Sequence, residues 1–153
     1  MKAADRALRS DINRETVQVG NEIWRPAVAN HVRTKMDNRI LNKGVRVKGG
    51  NPPQALAANS RAKLGKGSSK RLSANDLWPM YEFGANREKV KSYDRTSVNG
   101  KKHKVTRHTA RQLPPRIQAG RVVFPAYAEV APRMITYWLK AIVAKYNDRI
   151  EGK

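Results

Sequence analysis

Apolar residues recur every four positions at both ends of this chain and give way to short alternations in its middle. Ala4, Leu8 and Ile12 form one stripe, and Trp24, Val28, Val32, Met36 and Ile40 form another. That spacing predicts a helix over residues 3–43. Asp5 near its start and Lys43 near its end suit the helix dipole, and Gly44 is a suitable terminator. Gly20 and Pro26 interrupt the run, so a kink or break is expected between residues 19 and 26. Near the C-terminus, Tyr127, Val130, Met134, Trp138, Ile142 and Tyr146 mark one face, widened by Ile135, Leu139 and Val143. A second helix is predicted there, with Pro125 in its first turn. Pro132 is expected to kink that turn or to mark where the regular helix starts. Both faces read as packing surface, with Trp138, Leu139 and Ile142 largely covered.

The middle reads differently. Val45 and Val47 alternate with Arg46 and Lys48, which suits a short strand before the turn signal Gly49-Gly50-Asn51-Pro52-Pro53. Leu77-Trp-Pro-Met-Tyr-Glu-Phe-Gly84 is the densest apolar patch outside the ends. Pro79 argues against a central strand before it, and Met80 to Phe83 suit a short strand closed by Gly84. Asn99-Gly100, flanked by residues 93–98 and 101–106, predicts a hairpin with a two-residue type I′ turn. Both of its faces are polar, so it should project. Residues 111–121 look irregular, and Arg121 to Phe124 read as a last short strand. The fold expected is α+β. A long N-terminal helix and a C-terminal helix pack on a small, mainly antiparallel sheet with long basic loops or a hairpin, in one domain over 1–153.

Charge changes this picture. The chain has 32 Lys+Arg against 12 Asp+Glu, a net of +20 over 153 residues. Residues 1–43 carry 9 basic and 5 acidic side chains, residues 122–153 carry 5 and 3, and residues 44–121 carry 18 and 4, a net of +14. Such self-repulsion is relieved by a polyanion or an acidic partner surface. A binding or assembly role is therefore expected rather than small-molecule catalysis. There is no Cys, which removes disulfides and thiolate metal sites. Arg133, Lys140 and Lys145 interrupt the most apolar stretch, so a membrane span is not expected. The N-terminus has no apolar run of signal-peptide length, and a soluble intracellular protein is expected.

Specific chemistry is hard to find. Gly65-Lys66 invites a phosphate-loop reading, but Ser60 stands where the first glycine belongs and Gly67 where Ser or Thr belongs. The stretch 49–73 reads instead as a solvated loop, mobile in an isolated subunit and ordered by contact with a partner. Three His and scattered carboxylates make no metal site of recognised spacing, and no cofactor is expected. Glu82, Glu88 and Asp94 are the acids nearest one another in the centre, and read as local charge offsets to Arg87, Lys89 and Lys91. Tyr81, Phe83 and Tyr93 interleave with basic residues in a way that could suit nucleic acid. Lys66, Lys70, Arg71, Lys101, Lys102 and Lys104 are the candidate contact residues, on segments expected to project. Their expected role is mainly docking on neighbouring protein, with non-specific contact to double-stranded DNA the alternative.

Two short segments carry a resemblance. Tyr81-Glu82-Phe83-Gly84 and Val123-Phe124-Pro125-Ala126, in this order of elements, resemble the neck and tail-completion proteins of long-tailed bacteriophages. In that family a Glu-aromatic-Gly step closes one strand and a Phe-x-Pro-Ala-like step starts the last helix. The resemblance covers most of the chain in element order but only about a dozen residues in identity, and the loop at 49–73 and the hairpin at 93–106 are more basic and longer than the pattern. It implies an α+β virion subunit without catalytic role, made in the host cytoplasm. It implies a homo-oligomeric ring, sixfold favoured over twelvefold, between head connector and tail tube, with DNA passing through. The rival reading is a stand-alone basic nucleic-acid-binding protein of ribosomal or chromatin-associated kind, with a small basic enzyme third.

Overall fold

The computed structural model describes residues 2–65, 72–108 and 113–152. Helix α1 runs Lys2–His31, α2 Lys35–Ile40 and α3 Ala74–Phe83, and α4 runs Val123–Ile150. Strands β1 (Arg46–Lys48) and β2 (Gln54–Leu56) form one antiparallel pair, and β3 (Lys91–Thr96) and β4 (Lys102–Arg107) form another. The architecture is α+β, with the long N-terminal helix against the long C-terminal helix and two small two-stranded sheets instead of one.

The two long helices run antiparallel. Trp24 meets Tyr127 edge-on at 6.2 Å between ring centroids, and the Tyr137 hydroxyl donates to Glu15 at 3.1 Å. Lys145 pairs with the other Glu15 oxygen at 3.7 Å. Where they cross the small elements lies the core. Trp24 and Val28 from α1, Ile40 and Leu41 at the end of α2, Val47 from β1, and Val122, Ala126 and Val130 at the start of α4 are all buried there. The β1–β2 pair docks on α1 through polar groups as well. The Trp24 indole N–H donates to the Leu56 carbonyl at 2.9 Å, and the Val47 N–H donates to Asn21 Oδ1 at 2.9 Å. Gly20 lets Val47 press on the helix, since an added Cβ would stand 3.0 Å from a Val47 methyl.

Several expectations are corrected. No break falls between residues 19 and 26, because α1 continues through Gly20 and Pro26. A proline inside a helix costs about 3 kcal/mol, and burial of Trp24 and Val28 on either side of it offsets that loss. The break comes instead after His31. Thr34 takes an extended conformation and caps α2: its hydroxyl accepts the Asp37 N–H at 3.0 Å, and Asp37 accepts the Thr34 N–H at 3.2 Å.

Met80 to Phe83 is not a strand but the last turn of α3. Its start is fixed by Asp76, whose carboxylate accepts the Ser73 N–H at 2.8 Å and the Ser73 hydroxyl at 2.6 Å. Arg121 to Phe124 is not a strand either, since Val122 is the residue before α4 and Val123 begins it. Pro125 sits in the first turn as expected, and α4 continues through Pro132. Within the stretch 49–73, read as a loop, β2 forms and pairs with β1 just before it. Residues 66–71 of that stretch lie outside the described residues.

The hairpin at 91–107 forms, but not with the expected turn. Ser97 N–H donates to the Lys101 carbonyl at 2.8 Å and Gly100 N–H to the Ser97 carbonyl at 3.0 Å. Three residues, Val98, Asn99 and Gly100, make the loop. Gly100 has φ 76°, whereas Ala58 is the one non-glycine with positive φ among the described residues, so Asn99 does not take the type I′ conformation. This is a type I turn followed by a left-handed glycine bulge.

Candidate partner-binding surfaces

Glu82 accepts more hydrogen bonds than any other side chain among the described residues. It lies on the last turn of α3, fully buried, and its two oxygens face the start of α4. They accept backbone N–H groups of Arg121 (3.0 Å), Val122 (3.2 and 3.3 Å), Val123 (3.1 Å) and Phe124 (3.0 Å). These are the donors that a helix start leaves without partners, and a negative charge there also suits the helix dipole. Phe83 packs against Phe124 with the rings tilted and their centroids 5.3 Å apart, and likewise against Trp78 at 6.1 Å. Gly84 turns the chain at φ 68° and ψ −164°. The Pro114 and Pro115 carbonyl oxygens press against it where a Cβ would stand. Ile117 N–H then donates to the Phe83 carbonyl at 2.8 Å.

Arg121 extends this junction. Its guanidinium donates to the Tyr81 carbonyl at 3.3 Å and to both Asp37 oxygens at 3.4 Å. Asp37 is 1 % exposed and caps α2 at the same time. One buried polar network therefore ties α2, α3 and α4 together. Sequence reasoning missed the Arg121–Asp37 pair, for which no local signal exists. With both its oxygens committed to backbone donors, Glu82 is not placed for acid–base chemistry. Tyr81 and Phe83 are half-buried, Phe83 against Trp78 and Phe124. Among the described residues, no three His, Asp or Glu side chains gather as a metal would require. No described helix is long and apolar enough to cross a membrane.

The second surface is an exposed apolar ridge along α4 that borders its contact with α1. Tyr127, Ile135, Leu139, Val143 and Tyr146 are each about half exposed or more, and Phe124 joins them at the helix start. The expected burial of Leu139 is corrected, since it is 51 % exposed, while Trp138 and Ile142 are half-buried. The residues of α4 that enter the interior are small: Ala126, Val130 and Ala141. Between α4, α1 and the β1–β2 turn runs an apolar groove of about 340 Å³, lined by Ile23, Pro53, Tyr127, Met134, Trp138 and Thr16. The Thr16 hydroxyl is buried beside it without a hydrogen-bond partner among the described residues. Partial burial pushes the Tyr137 phenol above its ordinary value, and its hydrogen bond to Glu15 adds to the shift.

The third surface is the β3–β4 hairpin, whose strands are exposed on both faces except at half-buried Val105. The pairing register separates two sets of side chains. Lys91, Tyr93, Arg95, His103, Val105 and Arg107 share one face, and Ser92, Asp94, Thr96, Lys102, Lys104 and Thr106 share the other. Lys102 and Lys104 thus share one face, and Lys101 closes the loop opposite Ser97. Lys91, Arg95 and Arg107 were missed, although the alternation of residues 91–107 carried the signal. The Arg107 guanidinium lies 5.6 Å over the Tyr93 ring. Lys66, Lys70 and Arg71 lie outside the described residues.

No family model, curated protein or solved structure gives a significant match to this chain.

Proposed function

We propose that this chain is a structural subunit of the head-to-tail junction of a long-tailed bacteriophage, a neck or tail-completion protein. It closes into a ring with its own copies, six being the favoured number, between the head connector and the tail tube. DNA passes through, and the subunit does no chemistry. The observation that carries the reading is the meeting of its two short motif segments. Tyr81–Gly84 and Phe124–Ala126 are far apart in sequence, yet Glu82 caps the helix that Phe124 begins and Phe83 packs on Phe124. The first of these segments ends a helix here, where the family pattern has a strand, so it is the contact between the two segments that supports the reading.

The ridge on α4 supports the ring. An apolar stripe of this length on a strongly charged small chain marks a surface that another protein covers. The ridge and the groove adjoin, since Tyr127 and Ile135 belong to both; packing of this one apolar surface on a different face of the next copy is the kind of contact from which rings close. Negative-stain images of the purified protein, alone and with tail tubes, test the reading: rings that cap tube ends are expected. A monodisperse monomer that ignores tubes contradicts it. The exposed basic hairpin favours the rival reading of a stand-alone nucleic-acid-binding protein, and that protein would stay monomeric while binding duplex.

A further inference from the structure

We infer that the β3–β4 hairpin is a phosphate-binding arm for double-stranded nucleic acid, and that its contact surface includes the face of Lys91, Arg95 and Arg107. This inference stands with or without a ring. Between residues 91 and 107 there are six cations, Lys91, Arg95, Lys101, Lys102, Lys104 and Arg107, against the single carboxylate of Asp94. None of the six pairs with a carboxylate among the described residues. The charges are held on a stiff frame, with six residues per strand in register and a Ser92–Thr106 hydroxyl contact at 3.1 Å. Such a frame is roughly 20 Å long, at about 3.4 Å per residue.

The same cations could face an acidic protein, and the composition of the arm decides between the two. Protein interfaces have an apolar centre and are poor in lysine. This arm has four lysines, and its only large apolar side chains are Tyr93, Val98 and Val105. The ridge on α4 has the composition of a protein contact, and the hairpin has that of a polyanion contact. Duplex is favoured over single strands by Tyr93. One face of its ring carries the Arg107 guanidinium, 5.6 Å from the centroid, and is not open to a stacking base. A two-stranded ribbon exposed on both faces also fits a duplex groove, with phosphates on either side. Contacts of this kind ignore base sequence.

The test is fluorescence anisotropy of the full chain with two labelled 30-base-pair duplexes of unrelated sequence, titrated with salt. Three variants are compared with the wild type. One carries Lys91→Gln, Arg95→Gln and Arg107→Gln. The second carries Lys101→Gln, Lys102→Gln and Lys104→Gln. The third removes the same charge elsewhere, with Arg25→Gln, Arg33→Gln and Lys140→Gln, all exposed positions. Unchanged circular dichroism and melting temperature verify that each variant is folded. Both duplexes should bind alike, and each hairpin variant should lower the slope of log K against log salt by about 2–3, near 0.9 per lost phosphate contact. The third should change it by less than about 1. Equal slope losses in all three variants would overturn the inference, as would binding to polyglutamate but not to duplex.

Discussion

Glu82 and Phe124 stand 42 residues apart in sequence, and the Glu82 carboxylate accepts the Phe124 N–H at 3.0 Å. With the N–H groups of residues 121–123 on the same carboxylate, this contact makes one buried side chain of α3 the cap of α4. Glu82→Ala leaves those donors buried without partners. It should cost about 3–5 kcal/mol in denaturant unfolding, the range for removing one partner from a buried charged contact. Glu82→Gln keeps an acceptor and should lose less. A loss below about 1 kcal/mol for the alanine variant would show that the junction does not depend on this carboxylate.

Gly84 and Gly100 both have positive φ, but their surroundings differ. An added Cβ at Gly84 meets the Pro114 and Pro115 carbonyl oxygens, whereas at Gly100 it meets open space. Gly84→Ala should therefore cost more than the roughly 1–3 kcal/mol of backbone strain alone. Gly100→Ala should cost no more than that strain, and Gly100→Val should also loosen the hairpin while the core stays folded. Equal melting temperatures for the two alanine variants would contradict these packing contacts.

How much of this was legible depended on whether a signal was local. The period of the α1 and α4 stripes gave both long helices, and the Asn99-Gly100 step gave the hairpin. The separate start of α2 within the predicted 3–43 helix, and the whole of α3, went unread because their caps were not considered. Thr34-x-x-Asp37 and Ser73-x-x-Asp76 are start signals that outweigh Pro79 and the β-prone Tyr81 and Phe83. The Asn99-Gly100 step suggested the wrong turn because Ser97 and Lys101 pair across a three-residue loop. The Glu82 junction was not legible as such, since its partners are backbone groups 39 to 42 residues away. Within the α4 stripe Leu139 was read as largely covered because periodicity reports an apolar face, not what covers it.

That last point separates two tryptophans. Trp24 is 1 % exposed, and Trp24→Ala should cost about 3–5 kcal/mol. Trp138 is less deeply buried, beside the groove, and Trp138→Ala should cost an isolated chain less than Trp24→Ala does. Equilibrium denaturation of both variants at low protein concentration checks the ordering. A Trp138 loss equal to that of Trp24 would mean the groove is closed in solution.

Two groups make stability depend on pH at opposite ends. Hydrogen bonds from the Ser73 hydroxyl and N–H hold the Asp76 carboxyl below its ordinary value of 3.8. A lowered folded value means the contribution is present above 3.8 and is lost as pH falls through the lowered value. Tyr137 is raised above 10.0, so its contribution is complete below 10.0 and is lost as pH rises through the raised value. The stability gap between wild type and Asp76→Asn should shrink in acid, and that between wild type and Tyr137→Phe should shrink in alkali. Gaps that stay constant with pH would contradict both assignments.

The α4 ridge is the feature on which the assembly account rests, and it can be tested without phage particles. Light-scattering mass of the purified protein is measured across a range of concentrations, for wild type and for a variant with Ile135→Lys and Leu139→Lys. Both residues are half exposed, so the variant should fold normally and retain its helical circular dichroism. The account predicts a discrete multimer for the wild type, six times the chain mass being favoured, and a monomer for the variant. A wild type that remains monomeric at every concentration, or a variant that assembles as well as the wild type, would contradict it.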